Sequence, residues 1–463
     1  MKYRRLLLIV TLSLSIVFLT ACSDAFRNPN RPIDGDQINL RFLHIWPEHE
    51  EALSKIANDF TLENPNVIIS TTIVPFNEVD TVLNSSVYGG TVPDVFFQWT
   101  HQIDKWAKDG VPLDLTAYID EEWRNDFYND GAALEIGKHD GKYYNIPFRA
   151  TGFLVLYNKQ IFSENNYQVP ETLQEFDQLM ANIRQDNLMP LALYGGSGGT
   201  FSQIVDVFNK YRDIQSGAVN DVNYSTSRLS PEAVFNTETN RFTSLIEDSS
   251  VRILQKVKGY KDKGYVPTSL NGMRREDAMN MFMDERSVMI LANNNEVGLL
   301  QKGMKRNSEI GAFAIPGPEG VDSRYVFGGF DGFSVSSTTY YPEEAVKFIK
   351  YLTSIDVQQY FSDNEKSIMV NKNVVYMDSL QSMIATEMAD TGRFASNPDY
   401  NIGQYGDLSS SAMAQYLAGT YSGNATDLML YMLNNLYRAL QDESLSFIVP
   451  TYDKLNYDDS WMN

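Results

Sequence analysis

Apolar and polar residues alternate over 38–45 (INLRFLHI), and the period then changes. Alternation of that kind predicts a strand with one buried face. Pro47 suits the first turn of a helix, and Ala52, Leu53, Ile56 and Phe60 follow at helical spacing until Asn64-Pro65 ends the run. The cycle then repeats. Residues 67–74 read as a second strand, 78–88 as a second helix through Val79, Val82, Leu83 and Val87, and 95–98 as a third strand. Strands alternating with helices predict an α/β fold on a mainly parallel sheet with right-handed crossovers.

Further along, 141–159 (GKYYNIPFRATGFLVLYNK) predicts a long extended run after a turn. Residues 161–187 read as largely helical through Phe176, Leu179, Met180 and Ile183, and the short apolar run 188–194 leads into glycines. Helical stretches and polar loops share 200–300. Segments 288–291, 310–315 and 325–335 predict strands, 342–352 a helix, and 410–440 mostly amphipathic helix. No repeat of 20–50 residues and no low-complexity tract is visible.

The amino terminus follows another plan. Lys2, Arg4 and Arg5 precede an apolar run, and Leu19-Thr20-Ala21-Cys22 closes it. This is the layout of a secretory signal. The run, about 15 residues, is shorter than the ~17–25 needed to span a bilayer. Its end resembles a bacterial lipobox, which implies removal of 1–21, a diacylated Cys22 and anchoring at the outer face of the cell membrane. Residues 23–37 carry two prolines, one glycine and no apolar period, so they predict a linker reaching about 50 Å when extended.

Without 1–21, 442 of the 463 residues remain, more than one compact core accommodates, so two domains are expected. Loss of Lys2, Arg4 and Arg5 takes the net charge from −21 to about −24. A field of that sign repels nucleic acid and anionic lipid. Cys22 is the only cysteine, so the exported body folds without a disulfide. Aromatic residues make up 12% of the chain, a surplus suited to sugar-binding surfaces.

Ligands of open α/β sheets sit beyond the carboxyl ends of the strands. Beyond the first strand lie Trp46, Glu48 and His49, and beyond the third lie Gln98, Trp99 and His101. Aromatics beside polar groups at those openings are binding-site material. Catalytic signals are weaker. Residues 195–199 (GGSGG) match G-x-S-x-G, but all four histidines precede Ser197, the reverse of the hydrolase order. His44, Glu48, His49 and His101 lack the spacing of a helical zinc motif. Glu121-Glu122 and Glu343-Glu344 are adjacent pairs whose side chains diverge, and Asp94 after Pro93 suits a turn.

Several stretches in order resemble the extracellular solute-binding proteins of ABC sugar importers, the family that includes maltose-binding protein. They are LRFLHIWPEHEEALSKIANDFTLENPNV, GGTVPDVFFQW, VPLDLTAYID, DGKYYNIPFRATGFLVLYNKQIF with PETLQEFDQLMANIRQ, IGAFAIPGPEGV, GGFDGFSVS and PEEAVKFIKYLTSIDVQQYF. The resemblance implies two α/β lobes, 38–150 plus 328–365 and 151–327 plus 366–463, closing over a carbohydrate. The three crossings would fall near 149–152, 317–327 and 364–370. Cleft residues would be Trp46, Glu48, Gln98, Trp99, Phe148, Arg149, Tyr194, Asn293, Asn294, Phe330 and Asp331, with aromatic faces on the sugar and polar groups on its hydroxyls. It implies a monomer working with permease subunits, and neither catalysis, cofactor nor metal. The rival expectations are a secreted glycoside hydrolase, which needs two carboxylates about 5–9.5 Å apart, and a binding protein for a peptide or other polar solute.

Overall fold

The computed structural model describes residues 37–75, 78–100, 103–195, 200–215, 235–236, 241–242, 244–321, 326–390 and 404–441. The signal, Cys22, nearly all of the linker, His101, 196–199 and part of the second expected crossing lie outside them.

Thirteen strands occur among the described residues: β1 (Ile38–His44), β2 (Val67–Ile73), β3 (Val95–Trp99), β4 (Lys138–His139), β5 (Lys142–Tyr143), β6 (Ile146–Asn158), β7 (Leu191–Ala192), β8 (Phe235–Asn236), β9 (Arg241–Phe242), β10 (Met289–Asn293), β11 (Ile310–Phe313), β12 (Phe327–Val335) and β13 (Ile368–Met369). Nine of them form one sheet along the path β2-β1-β3-β12-β6-β10-β7, with β11 and β13 also paired to β6. β1 is parallel to β2 and β3, and β10 is parallel to β7. β12 runs antiparallel to both β3 and β6, and β6 antiparallel to β10, β11 and β13. The parallel strands of each half are thus joined through antiparallel neighbours, which the strand-helix alternation alone does not predict.

β6 explains the layout. On one edge it pairs with β12 from Ile146 to Phe153 and with β11 from Val155 to Asn158. On the other it pairs with β13 at Arg149 and Ala150 and with β10 from Phe153 to Tyr157. One strand of the sheet therefore changes partners on both edges, and the hand-over falls at 150–153, overlapping the first expected crossing at 149–152. Its side chains alternate accordingly. Leu154 and Leu156 pack with Ile290, Ala292 and Ala312 on one face, and Val155 with Met289, Leu291 and Phe313 on the other. Helices cover both faces, as buried strands require.

The helices follow their patterns closely. Residues 342–352 are helical as predicted, with Pro342 in the first turn and Ala345, Val346, Phe348, Ile349 and Leu352 buried. After β1 the chain makes a 3-10 turn, Pro47–His49, before the helix Glu50–Glu63 begins. The stretch 161–187 breaks into Lys159–Asn165 and Leu173–Gln185. Asn166 takes φ 57°, a left-handed stop, and Thr172 with Glu175 starts the next helix through a capping box.

The sheet has no room to spare at the hand-over. A Cβ on Gly328 would lie 2.0 Å from the carbonyl oxygen of Thr151. Gly328→Ala is therefore expected to cost about 1–3 kcal/mol through overpacking, read as a lower denaturation midpoint with an unchanged slope.

Candidate functional site

The carboxyl ends of β1 and β3 open toward the hand-over of β6, and the predicted site residues divide there into framework and wall. Trp46 follows β1 and is 3% exposed. Its ring stacks on Phe148 at 5.9 Å and receives the edges of Phe97 at 5.3 Å and Phe333 at 5.7 Å. The guanidinium carbon of Arg149 lies 4.1 Å from the Trp46 ring centroid. Trp46 thus forms a shelf beneath Arg149.

Phe148 is fully buried against Trp46, Phe333 and Phe361, where β6 bulges. Pairing shifts between Asp331 and Gly332, so that Arg149 faces Asp331 and Pro147 faces Gly332, leaving Phe148 as the extra residue. Proline cannot donate to a ladder, which accounts for the bulge at this point. The carbonyl of Phe148 accepts from Gln358 Nε2 at 3.0 Å. Phe330 is buried too, and its carbonyl accepts from Thr100 Oγ1 at 2.8 Å.

Gln98 is 2% exposed, and neither end of its amide finds a hydrogen-bond partner among the described residues. It pairs with Gly332, on the opposite sheet face from its neighbour Trp99. Asn294 is also buried: its Oδ1 accepts from Gly152 N at 2.7 Å and its Nδ2 donates to the carbonyl of Ala150 at 3.1 Å. In this structure Phe148, Phe330, Gln98 and Asn294 are framework rather than open wall.

A polar chain crosses the hand-over. Arg149 Nε donates to Asp331 Oδ2 at 2.9 Å, both groups being nearly inaccessible. Arg149 Nη1 lies 2.9 Å from His49 Nε2, and His49 Nδ1 lies 2.6 Å from Glu365 Oε2. Arginine can only donate, so Nε2 accepts and the ring hydrogen sits on Nδ1, facing Glu365. Both ring nitrogens are therefore engaged. Burial pushes the Asp331 carboxyl above its usual range, against the pull of Arg149.

The open wall is smaller. Trp99 is half-buried at the end of β3, its ring edge-on to Phe97 at 5.2 Å. Glu48 is exposed on the 3-10 turn. Across the hand-over stand half-buried Tyr194 and Asn293, the latter donating from Nδ2 to Thr151 Oγ1 at 2.7 Å. Asn293 pairs with Phe153 and Asp331 with Arg149, so the two sides are four β6 residues apart, about 13 Å.

Two residues absent from the predicted set complete that side. Arg275 Nε donates to Glu296 Oε1, and Glu296 Oε2 accepts from Asn293 N at 3.1 Å. Burial raises the Glu296 carboxyl, with Arg275 opposing, and the Tyr194 hydroxyl is pushed up to about 12 by burial and by Glu296. Burial works against the Arg275 charge, but Glu296 and Glu48 outweigh it and hold the guanidinium above its usual value. Glu48 also raises Asp331, so its field reaches both sides. One sequence signal was available for Arg275. Arg274-Arg275 sits where a helix begins, and a cation is disfavoured at that end of the dipole.

Among the described residues, no group of three His, Cys, Asp or Glu could hold a metal ion, and no helix is long and apolar enough to cross a membrane.

Two lobes sharing a through-running strand, with polar and aromatic side chains meeting where it changes partners, define a two-lobe binding fold. Residues 55–387 match the family described as bacterial extracellular solute-binding protein, and the chain belongs to it. It is 28% identical over 381 residues to the Multiple sugar-binding protein of Streptococcus mutans, covering 80% of this chain and 84% of that protein. The fold is similar to that of RafE solved in complex with raffinose, with TM-score 0.67, 23% identity, 87% of this chain and all of that one. A chitin oligosaccharide binding protein gives TM-score 0.70 at 20% identity, over 88% of this chain and all of that one.

The shelf beneath Arg149 makes a prediction about acid. His44 is fully buried beside Trp46, its Nδ1 accepting from Trp46 N at 3.2 Å. Burial, then His49 and Arg149, lower its pKa from 6.5 to about 4. A depressed pKa stabilises the fold fully above 6.5, and that stability is lost as pH falls through about 4. The loss amounts to about 3 kcal/mol. His44→Asn keeps an acceptor for Trp46 N without a titrating ring, and urea midpoints across this window should fall less steeply than in the wild type.

Proposed function

We propose that this protein is a lipid-anchored, extracytoplasmic sugar-binding subunit that delivers a carbohydrate to the permease of an ABC transporter. The observation that carries the reading is the joining of Arg149 and Asp331, on the strands that link the lobes, to the aromatic shelf of Trp46. A ligand engaging both walls at this point would hold the lobes together. The sugar-binding name of the Streptococcus mutans relative favours a carbohydrate over a peptide.

In this reading the lobes comprise 38–150 plus 328–365 and 151–327 plus 366–463. Trp99 offers a ring face to sugar C–H groups, while Glu48, Tyr194 and Asn293 bond hydroxyls. Arg149 and Asp331 form the polar floor between the walls. Trp46, Phe148 and Phe330 support that floor from the core, Asn294 holds its backbone frame, and the buried Gln98 amide keeps its hydrogen-bonding groups free for a ligand. Asp331 and Glu296, the carboxylates with the least exposure here, each pair with a guanidinium, which favours binding over acid–base chemistry. The diacylated Cys22 and the linker 23–37 confine the lobes near their permease and raise the effective concentration for docking.

A thermal-shift screen against mono- and oligosaccharides tests this. A sugar at about 100 times its Kd should add about 2.7 kcal/mol of stability, and it should be recovered unchanged. Stabilisation by peptides alone, or turnover of the sugar, overturns the reading.

The division into wall and framework is separately testable. Trp99→Ala should weaken binding by about 1 kcal/mol, read by calorimetry, with little change in stability. Trp46→Ala should instead cost about 3–5 kcal/mol of folding stability, read by urea denaturation.

A further inference from the structure

Arg275 opens the helix Arg275–Met283 at the end of the dipole that disfavours a cation, and while Asp277 in the same turn caps and pairs with Arg274, Arg275 reaches away from the turn to Glu296. A choice that opposes local preference points to a function elsewhere. The side chain is held for such a function. Its Nε is taken by Glu296, whose other oxygen is fixed by the backbone N–H of Asn293. The side chain is nevertheless 45% exposed, and the two terminal nitrogens lie outside that pair. A half-exposed guanidinium oriented from behind, with two nitrogens outside its ion pair, is a preorganised fork. Glu48, exposed on the opposite lobe, acts electrostatically on Arg275 and on Asp331 alike.

Resting on the sugar-binding reading above, we propose that Arg275 is a ligand-contacting, specificity-determining residue of the second lobe. Its terminal N–H groups donate to two adjacent hydroxyl oxygens of a neutral sugar, and Glu48 accepts a hydroxyl hydrogen from the facing wall. Neutral ligands fit because the charge is already spoken for. Glu296 offsets Arg275 and Asp331 offsets Arg149, which leaves Glu48 and neighbouring Glu276 as surplus negative charge. Uronates and sugar phosphates would meet that surplus. The requirement for adjacent free hydroxyls follows from the planar, two-pronged geometry of the fork.

Calorimetric titration of the exported chain with raffinose, maltose and other neutral oligosaccharides, and with glucuronate, supplies the test. For the best-binding sugar, Arg275→Lys keeps the charge but loses the fork, and should weaken binding at least about tenfold with an unchanged melting temperature. Glu48→Gln, on an exposed side chain that the fold tolerates, should weaken the same sugar, and its effect should shrink when combined with Arg275→Lys. O-methylation of the engaged hydroxyls should abolish the difference between wild type and Arg275→Lys. A wild type that binds the sugar and an Arg275→Lys protein within twofold of it would sink the proposal, as would preferred binding of glucuronate. Failure of the wild type to bind any sugar overturns the underlying reading instead, and is told apart by that result.

Discussion

The molecule depends on a single strand being hydrogen-bonded along both edges, to different partners over its two halves. Backbone N–H and C=O groups buried at 150–153 must be satisfied on both sides of the point where the partners change. β12 and β13 satisfy β6 before it, and β11 and β10 after it. Everything near the hand-over follows from that requirement. Gly328 is needed because the two backbones pass too closely for a side chain. The bulge at Asp331 and Gly332 accommodates Pro147 and turns Arg149 toward its carboxylate. Burying such a pair is tolerable only with good geometry and further hydrogen bonds. His49 and Glu365 extend those bonds to the turn after β1 and to the end of the helix Ile355–Glu365.

Elements with strong periods were legible from residues alone. The β1 alternation, the helix of Pro342–Leu352 and the run through β6 lie within a few residues of where the pattern puts them. Direction was not. Whether β12 runs parallel or antiparallel to β3 depends on where the intervening two hundred residues return the chain, and no local period records that. The break at Asn166 was missed for a related reason: helical spacing resumes at Leu173, so the pattern bridges the gap.

The site was legible by residue type but not by role. Tryptophans and charged groups at strand ends mark the region where β6 changes partners, and Arg149 pairs with Asp331 there. Position along the strand does not say which ring is an open face and which is a shelf. Trp46 and Trp99 look alike in sequence, yet the first is enclosed by Phe148, Phe97 and Phe333 while the second keeps an accessible side. Arg275 and Glu296 escaped notice because they are 21 residues apart and meet only through the fold.

Asn294 has a mechanical consequence. Its amide grips the backbone of β6 at Ala150 and Gly152, on either side of Thr151, while its neighbour Asn293 faces outward and holds the Thr151 side chain. On the proposed reading, the surface offered to a solute and the stretch about which the lobes would swing are stitched together within three residues. A load applied at Asn293 would then reach the pivot with no intervening lever, so occupancy and swing would form one stroke rather than a signal and its relay.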